Sequence, residues 1–169
     1  MKRFCLKFGA FLLLQLALFA LLWHPDVPYD RNYLAASIDK HHRLKSTPSP
    51  RVILVGGSNL AFGMKTKTLE EELGLPVVNM GLNFHLGVPF ILDDIAAAIR
   101  PGDVVVLSLE YGGLASAGDD LILAEMFELR PASLFLLPPS RSKDLIERHG
   151  VSILGGIARR AVLTRFRSS

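Results

Sequence analysis

The sequence predicts an α/β protein whose doubly wound parallel sheet is incomplete and is preceded by one N-terminal transmembrane helix. Three observations lead to this fold class: apolar runs without alternation, helical patterns between those runs, and a long uncharged segment behind basic residues. Hydrophobic residues make up 50% of the 169 residues and charged residues 21%, which excludes a disordered chain. The single cysteine excludes an internal disulfide framework, and we predict no metal site and no cofactor.

Residues 1–23 are predicted to form a short cytoplasmic segment and a transmembrane signal anchor. Three basic residues precede an uncharged run from Phe8 to Trp23, and with Lys7 reaching toward the headgroups the segment approaches the roughly 20 residues that a bilayer core requires. The run ends in large residues, which favours an uncleaved anchor over a cleavable signal peptide. Its basic N-terminal side predicts a single-pass protein of the cell membrane with the C-terminal part extracytoplasmic.

Residues 24–50 are predicted to be a stalk. Tyr33, Leu34 and Ile38 share a short helix there, and the proline-containing stretch up to Pro50 ends it. The neighbouring histidines at 41 and 42 diverge by about 100° on a helix, so we expect them on a solvated face and not at a shared metal.

Residues 51–139 are predicted to form a partial α/β domain of three strands separated by helices. The strands are Arg51–Val55, Pro76–Asn79 and Val104–Leu109; the helices are the segment opened by the Thr68–Glu71 capping box, the segment Val88–Arg100, and the stretch from Asp119 to Arg130. This alternation implies right-handed crossovers and a parallel sheet with helices on both faces.

Residues 140–169 are predicted to form a basic amphipathic helical tail. The stretch 141–169 holds seven basic and two acidic residues, a charge of +5, which leaves −2 for the rest of a chain whose total is +3. Gly150 and Gly155-Gly156 favour two short helices. Membrane lipid is the predicted partner of this tail, with a hairpin packed on the domain as the alternative. Nucleic acid is not expected, because the basic residues are not interleaved with aromatic ones.

Three loops are expected to meet at the carboxyl edge of the sheet, where doubly wound folds bind their ligands. They are Gly56–Gly63, Met80–Gly87 and Glu110–Gly113, and they hold most of the unusual polar residues. The candidate site therefore lies at this edge.

Ser58 is the candidate nucleophile. It follows a buried strand through Gly56-Gly57, which permit a tight turn, and its own amide nitrogen is available to an oxyanion. An alternative stays open, in which Ser58 only caps the next helix. Nucleotide binding is disfavoured because the loop has neither a Gly-x-Gly-x-x-Gly pattern nor a P-loop lysine.

The other two loops offer groups that could support such a nucleophile. Gly81 supplies a backbone N–H and Asn83 a side-chain amide, which together predict an oxyanion hole. His85 and Glu110 are candidate auxiliary residues. The structural alternatives are that His85 caps the following helix and that nearby loop amides satisfy the Glu110 carboxylate.

The order of these features over Arg51–Tyr111 resembles the SGNH or GDSL serine hydrolases and acyl-transferases, which have a flavodoxin-like sheet. Gly56-Gly57-Ser58 stands where that family has its Gly-Asp-Ser block, and Gly81 matches its second oxyanion donor. The family's Gly-x-Asn-Asp block is absent, and none of the five histidines lies in the expected Asp-x-x-His near the C terminus. We therefore expect the N-terminal part of a longer protein, truncated before its catalytic base.

The resemblance is to the membrane-anchored branch of the family and implies a serine acyl-esterase or acyl-transferase of the cell envelope. Its substrate would be a cell-wall polymer or exopolysaccharide, and an acyl-donating integral membrane protein is a further expected partner. The alternative is a catalytically inactive, membrane-bound scaffold or binding module with the same fold. The missing base separates the two, because a serine hydroxyl is a weak nucleophile without one.

Overall fold

A computed structural model of the protein describes residues 2–22, 33–111 and 116–167. The chain divides into two units, Met1–Asn32 and Tyr33–Ser169. The predictions for Trp23, for the stalk over residues 24–32 and for the end of the third loop at Gly113 lie outside the described residues.

The described residues of the first unit form one helix, α1, Lys2–Leu22. Basic residues occupy its first turns, so its uncharged part runs only from residue 8 to residue 22. At 1.5 Å per residue this part spans roughly 22 Å, against about 30 Å of hydrocarbon core. Across the described ranges, no helix is both long and apolar enough to cross a membrane. The predicted transmembrane anchor, and with it the single-pass location in the cell membrane, is therefore wrong.

The second unit is built on a parallel sheet of three strands. They are β1, Val52–Gly56, β2, Val77–Asn79, and β3, Val104–Ser108, in the order β2-β1-β3. Val52 lies opposite Val77 on one side and Val104 on the other, and the pairing with β3 continues to the end of β1. Every residue of β1 is buried, as its continuous β-branched run predicts for a central strand.

Six helices of the described residues belong to this unit. In chain order they are α2, Ala36–Ser46; α3, Ser58–Gly63; α4, Thr66–Leu73; α5, Val88–Ala96; α6, Asp120–Leu129; and α7, Pro139–Arg167. Short 3-10 turns cover Tyr33–Ala35, Phe84–Leu86 and Pro131–Leu136. The Asp119 carboxylate caps α6 by accepting two backbone N–H groups, and α4 ends at Gly74 in the left-handed region at φ 65°.

Taken as a whole, the predicted fold class is wrong. The chain is 67% helical around a three-stranded sheet, and the expected membrane helix is missing from the described residues. Nor is the sheet covered evenly: the side chains from Val104 to Leu107 on β3 are between 36% and 51% exposed, whereas those of β1 are buried. A run of apolar residues indicates a strand, but it does not establish what covers that strand.

The segment 33–46, which belongs to the predicted stalk, is part of the folded unit. Leu34 and Leu44 are fully buried, and two cations of α2 bind the neighbouring strand. Lys40 donates to the Asn79 carbonyl at 2.8 Å and Arg43 to the Val77 carbonyl at 3.3 Å. Helix α2 is thereby fixed along β2.

Helix α7 is continuous across its glycines, where two short helices were expected, and it packs on α6 through buried Leu145 and Ile153. Arg141 and Arg148 both form ion pairs with Asp120 of α6, at 2.5 and 2.6 Å. Part of the positive charge of the tail is therefore neutralised within this unit.

Candidate functional site

Ser58 lies at the carboxyl end of the central strand. It is the first residue of α3 and is exposed to solvent. The next residue ties this turn to the neighbouring strand, because Asn59 Nδ2 donates to Ser108 Oγ at 3.1 Å. The hydroxyl of Ser58 is thus presented from a turn that is anchored at the ends of β1 and β3.

Glu110 lies directly against this turn. The backbone of Gly57 is extended, a conformation that any residue can adopt. A glycine is needed here because there is no room for a side chain. A Cβ atom at position 57 would collide with the Glu110 carboxylate and would come within 2.9 Å of Phe84 Cβ. The structure therefore brings Glu110 beside the residue that precedes Ser58.

Gly81 packs against α3 from the adjacent loop. A Cβ atom there would lie 2.6 Å from Leu60 Cβ and 2.9 Å from the Ala61 nitrogen, so only glycine allows this approach. The Gly81 N–H donates to Asn79 Oδ1 at 2.8 Å, and Asn79 Nδ2 donates to the Leu60 carbonyl at 2.8 Å. The predicted oxyanion donor is near the Ser58 helix, but its hydrogen is held by Asn79.

Asn83 and His85 form one local unit. Asn83 Oδ1 accepts the backbone N–H of His85 at 2.9 Å and thereby caps the 3-10 turn. This hydrogen bond involves only the amide oxygen, not the two hydrogens on Asn83 Nδ2. His85 is exposed, and its carbonyl accepts the Asp119 N–H at 2.7 Å. Within the described part of the chain, no carboxylate orients the His85 imidazole, so nothing there fixes its tautomer.

An aromatic pair borders the same edge. The Tyr33 hydroxyl donates to the Leu82 carbonyl, and its ring stacks on Phe62 with centroids 5.1 Å apart. Burial raises the pKa of Tyr33, and the negative charge of Glu110 raises it further. Phe62 is 77% exposed and forms the outer surface of the pair. The predicted stalk includes Tyr33, because no local sequence pattern connects it to loops some 50 residues away.

A second polar cluster joins three helices and was also missed. His41 Nδ1 lies 2.8 Å from the Ser37 carbonyl and Nε2 lies 3.2 Å from Asp94 Oδ2, while Arg130 donates to both Asp94 oxygens at 2.6 and 2.9 Å. The His41 side chain is only 14% exposed, so the expected solvated position is wrong.

The partners of His41 define its role. Nδ1 faces a carbonyl oxygen and Nε2 a carboxylate oxygen, so each ring nitrogen has a hydrogen-bond acceptor as its partner. Burial raises the pKa of Asp94, but the hydrogen bonds and positive charges of His41 and Arg130 outweigh burial and place the pKa below its ordinary value. Both imidazole nitrogens are thus committed to holding α2 against α5, which leaves neither free to act as a base.

No metal centre is present in the part of the chain that the structure describes, since no three His, Cys, Asp or Glu side chains there are grouped to hold an ion. Comparisons with family models, with curated proteins and with solved structures found no match. The resemblance to the SGNH family stays a prediction based on the residues named above.

Proposed function

We propose that the protein is an SGNH-type serine acyl-esterase or acyl-transferase acting on a glycan or wall polymer, with Ser58 as the nucleophile. The observation that carries the proposal is the exposed Ser58 at the start of α3, directly after the buried strand β1, with Gly81 packed against the same helix. The substrate class rests on the family resemblance. The proposal does not include a membrane anchor.

The proposed reaction is acyl transfer in two steps. The Ser58 oxygen attacks an ester carbonyl and loses its proton to a base, and the tetrahedral oxyanion is bound by the Gly81 N–H and by Asn83 Nδ2. The alcohol then leaves with a proton, and water or a second hydroxyl takes the acyl group from Ser58. In the transferase form, an acyl-donating integral membrane protein would supply that group.

This mechanism requires a general base for Ser58, which none of the contacts described above supplies, and a local change at Gly81. The Gly81 N–H donates to Asn79 Oδ1, so an oxyanion must replace that acceptor. The exchange is favourable in principle, because a charged acceptor makes a bond roughly twice as strong as a neutral amide does. Loss of the Asn79 bond is then offset when the charge develops.

The second candidate function is a catalytically inactive scaffold or binding module with the same fold. Three features favour it: no carboxylate among the described residues orients His85, both nitrogens of His41 are engaged, and Asn79 holds Gly81. In this hypothesis Ser58 begins the helix and has no chemical role.

Labelling with a fluorophosphonate separates the two candidates. The probe forms a covalent bond with an activated serine, so the esterase hypothesis predicts labelling that is lost in Ser58→Ala. Ser46→Ala is the matched control, because Ser46 is an exposed serine at the end of α2, between Leu44 and Thr47, whose carbonyls bind Arg51 at the opposite end of β1 from Ser58. Absence of labelling in protein with a native circular dichroism spectrum would support the scaffold and overturn the esterase.

A further inference from the structure

Helix α2 and the 3-10 turn before it lie against the loop that follows β2. The Tyr33 hydroxyl donates to the Leu82 carbonyl, and Lys40 Nζ donates to the Asn79 carbonyl at 2.8 Å. Ser37 lies four positions after Tyr33 and three before Lys40, which places it on the same side of this segment. The side chain of Ser37 therefore lies between two residues that bind the loop.

The hydroxyl of Ser37 is buried without a partner in the protein. Ser37 is 1% exposed, and its Oγ has no hydrogen-bond partner among the described residues. A hydroxyl that loses its bonds to solvent on burial costs free energy unless other bonds replace them. Buried polar side-chain atoms are for this reason almost always bonded, either to the protein or to an ordered water.

A small cavity adjoins this hydroxyl. Its volume is about 20 Å³, and one water needs roughly 10–15 Å³, so the cavity has room for one water and for nothing larger. Its polar lining residues are Ser37, Lys40, His41 and Asp94, and the other residues around it carry apolar side chains or none. Both ring nitrogens of His41 are already engaged, which leaves the other three to bind an occupant.

The charges around the cavity favour a neutral occupant. Lys40 is a cation and Asp94 a carboxylate, so an ion of either sign would lie near a like charge. Lys40 uses one of its three N–H groups on the Asn79 carbonyl and keeps others to donate. A water oxygen accepts such a hydrogen, while the two hydrogens of the water suit the Asp94 carboxylate and Ser37 Oγ. These are the two to four partners that a buried water typically has.

We infer that one water molecule is bound in this cavity as a fixed part of the fold, where it accepts a hydrogen bond from Lys40 and joins the Ser37 hydroxyl to the Asp94 carboxylate. Because Ser37 and Lys40 belong to α2 and Asp94 belongs to α5, this water links the two helices behind the loop that bears Gly81. The inference does not depend on the proposed function.

Ser37→Ala gives opposite results for a dry and a hydrated cavity. In a dry cavity the variant removes an unbonded buried hydroxyl and adds a better helix former, and both changes stabilise the protein. With the water bound, the variant removes one of its partners, and we expect the equilibrium constant for unfolding, measured in urea, to rise about fivefold. Ser46→Ala is the matched control, because Ser46 is an exposed serine of the same helix, and it should stay within about twofold of the wild type.

Oxygen-17 magnetic relaxation dispersion of the full chain counts the water molecules that stay bound for longer than the protein takes to tumble. We expect one fewer in Ser37→Ala than in the wild type, and the same number in Ser46→Ala as in the wild type. Equal counts in the wild type and Ser37→Ala would overturn the inference. So would a Ser37→Ala protein that is more stable than the wild type.

Discussion

Replacing Arg51 by methionine is expected to destabilise the second unit more than any surface substitution. Arg51 directly precedes β1 and is fully buried, and its guanidinium donates hydrogen bonds to four acceptors. It donates to Asp103 Oδ2 at 3.1 Å, to the carbonyls of Thr47 and Ala98 at 2.8 and 2.7 Å, and to the Leu44 carbonyl. Methionine fills much of the same volume but supplies none of these hydrogens.

The size of the effect follows from what the substitution leaves behind. Removing one partner of a buried ion pair costs about 3–5 kcal/mol, because the remaining charge stays desolvated. The Asp103 carboxylate has no exposed side-chain surface, and once Arg51 is gone no cation bonds it, although the Arg100 N–H still donates to it at 3.0 Å. For a chain of this length, that loss corresponds to a fall in melting temperature of about 6–20 °C. Total stability is typically about 5–15 kcal/mol, so the substitution should remove between roughly a fifth and all of it.

Urea unfolding followed by circular dichroism at 222 nm measures this loss. Arg43→Met is the matched control, since the Arg43 side chain is 55% exposed and its ion pair with Glu70 should contribute at most about 1 kcal/mol. Adding Asp103→Asn to Arg51→Met should recover part of the loss by removing the unpaired charge. If Arg51→Met and Arg43→Met unfold with equal free energies, the reasoning from the buried pair is refuted.

Acid should destabilise the unit through two carboxylates. Burial raises the pKa of Asp94 and of Asp103, but hydrogen bonds and nearby cations outweigh burial and leave both pKa values below the ordinary one. The stabilisation that the two carboxylates provide is therefore complete above about pH 3.9 and is lost as the pH falls through their folded-state pKa values. Urea midpoints measured against pH should therefore fall in acid, and less steeply in Asp94→Asn. The chain should also hydrolyse p-nitrophenyl acetate slowly or not at all, with little change in His85→Ala; ordinary enzymatic turnover that His85→Ala abolishes would identify His85 as the base.

The positions of the strands could be predicted because each depends on a local run. Val52 to Val55 are consecutive apolar residues closed by glycines, and a buried parallel strand has that composition. Two helix ends could also be predicted from single residues, since Gly74 ends α4 in the left-handed conformation and Asp119 caps the start of α6. The exposure of β3 was not predictable, since the same run of valines occurs in covered and in uncovered strands.

The candidate site was only partly predictable for a related reason. Its glycines and Ser58 are sequence neighbours of a strand end, so topology alone places them together. The contacts that decide its chemistry join residues far apart in sequence. Asn59 meets Ser108, Tyr33 meets the carbonyl of Leu82, and His41 meets Asp94, and no spacing or composition of the chain indicates such pairs.

Strand β3 shapes one wall of the candidate site. Its carboxyl end bears Ser108, which accepts a hydrogen bond from Asn59, and leads to Glu110, which lies against Gly57. These two contacts reach the residues on either side of Ser58. A shift of the end of β3 would therefore move the turn that presents Ser58 without any direct contact with that residue.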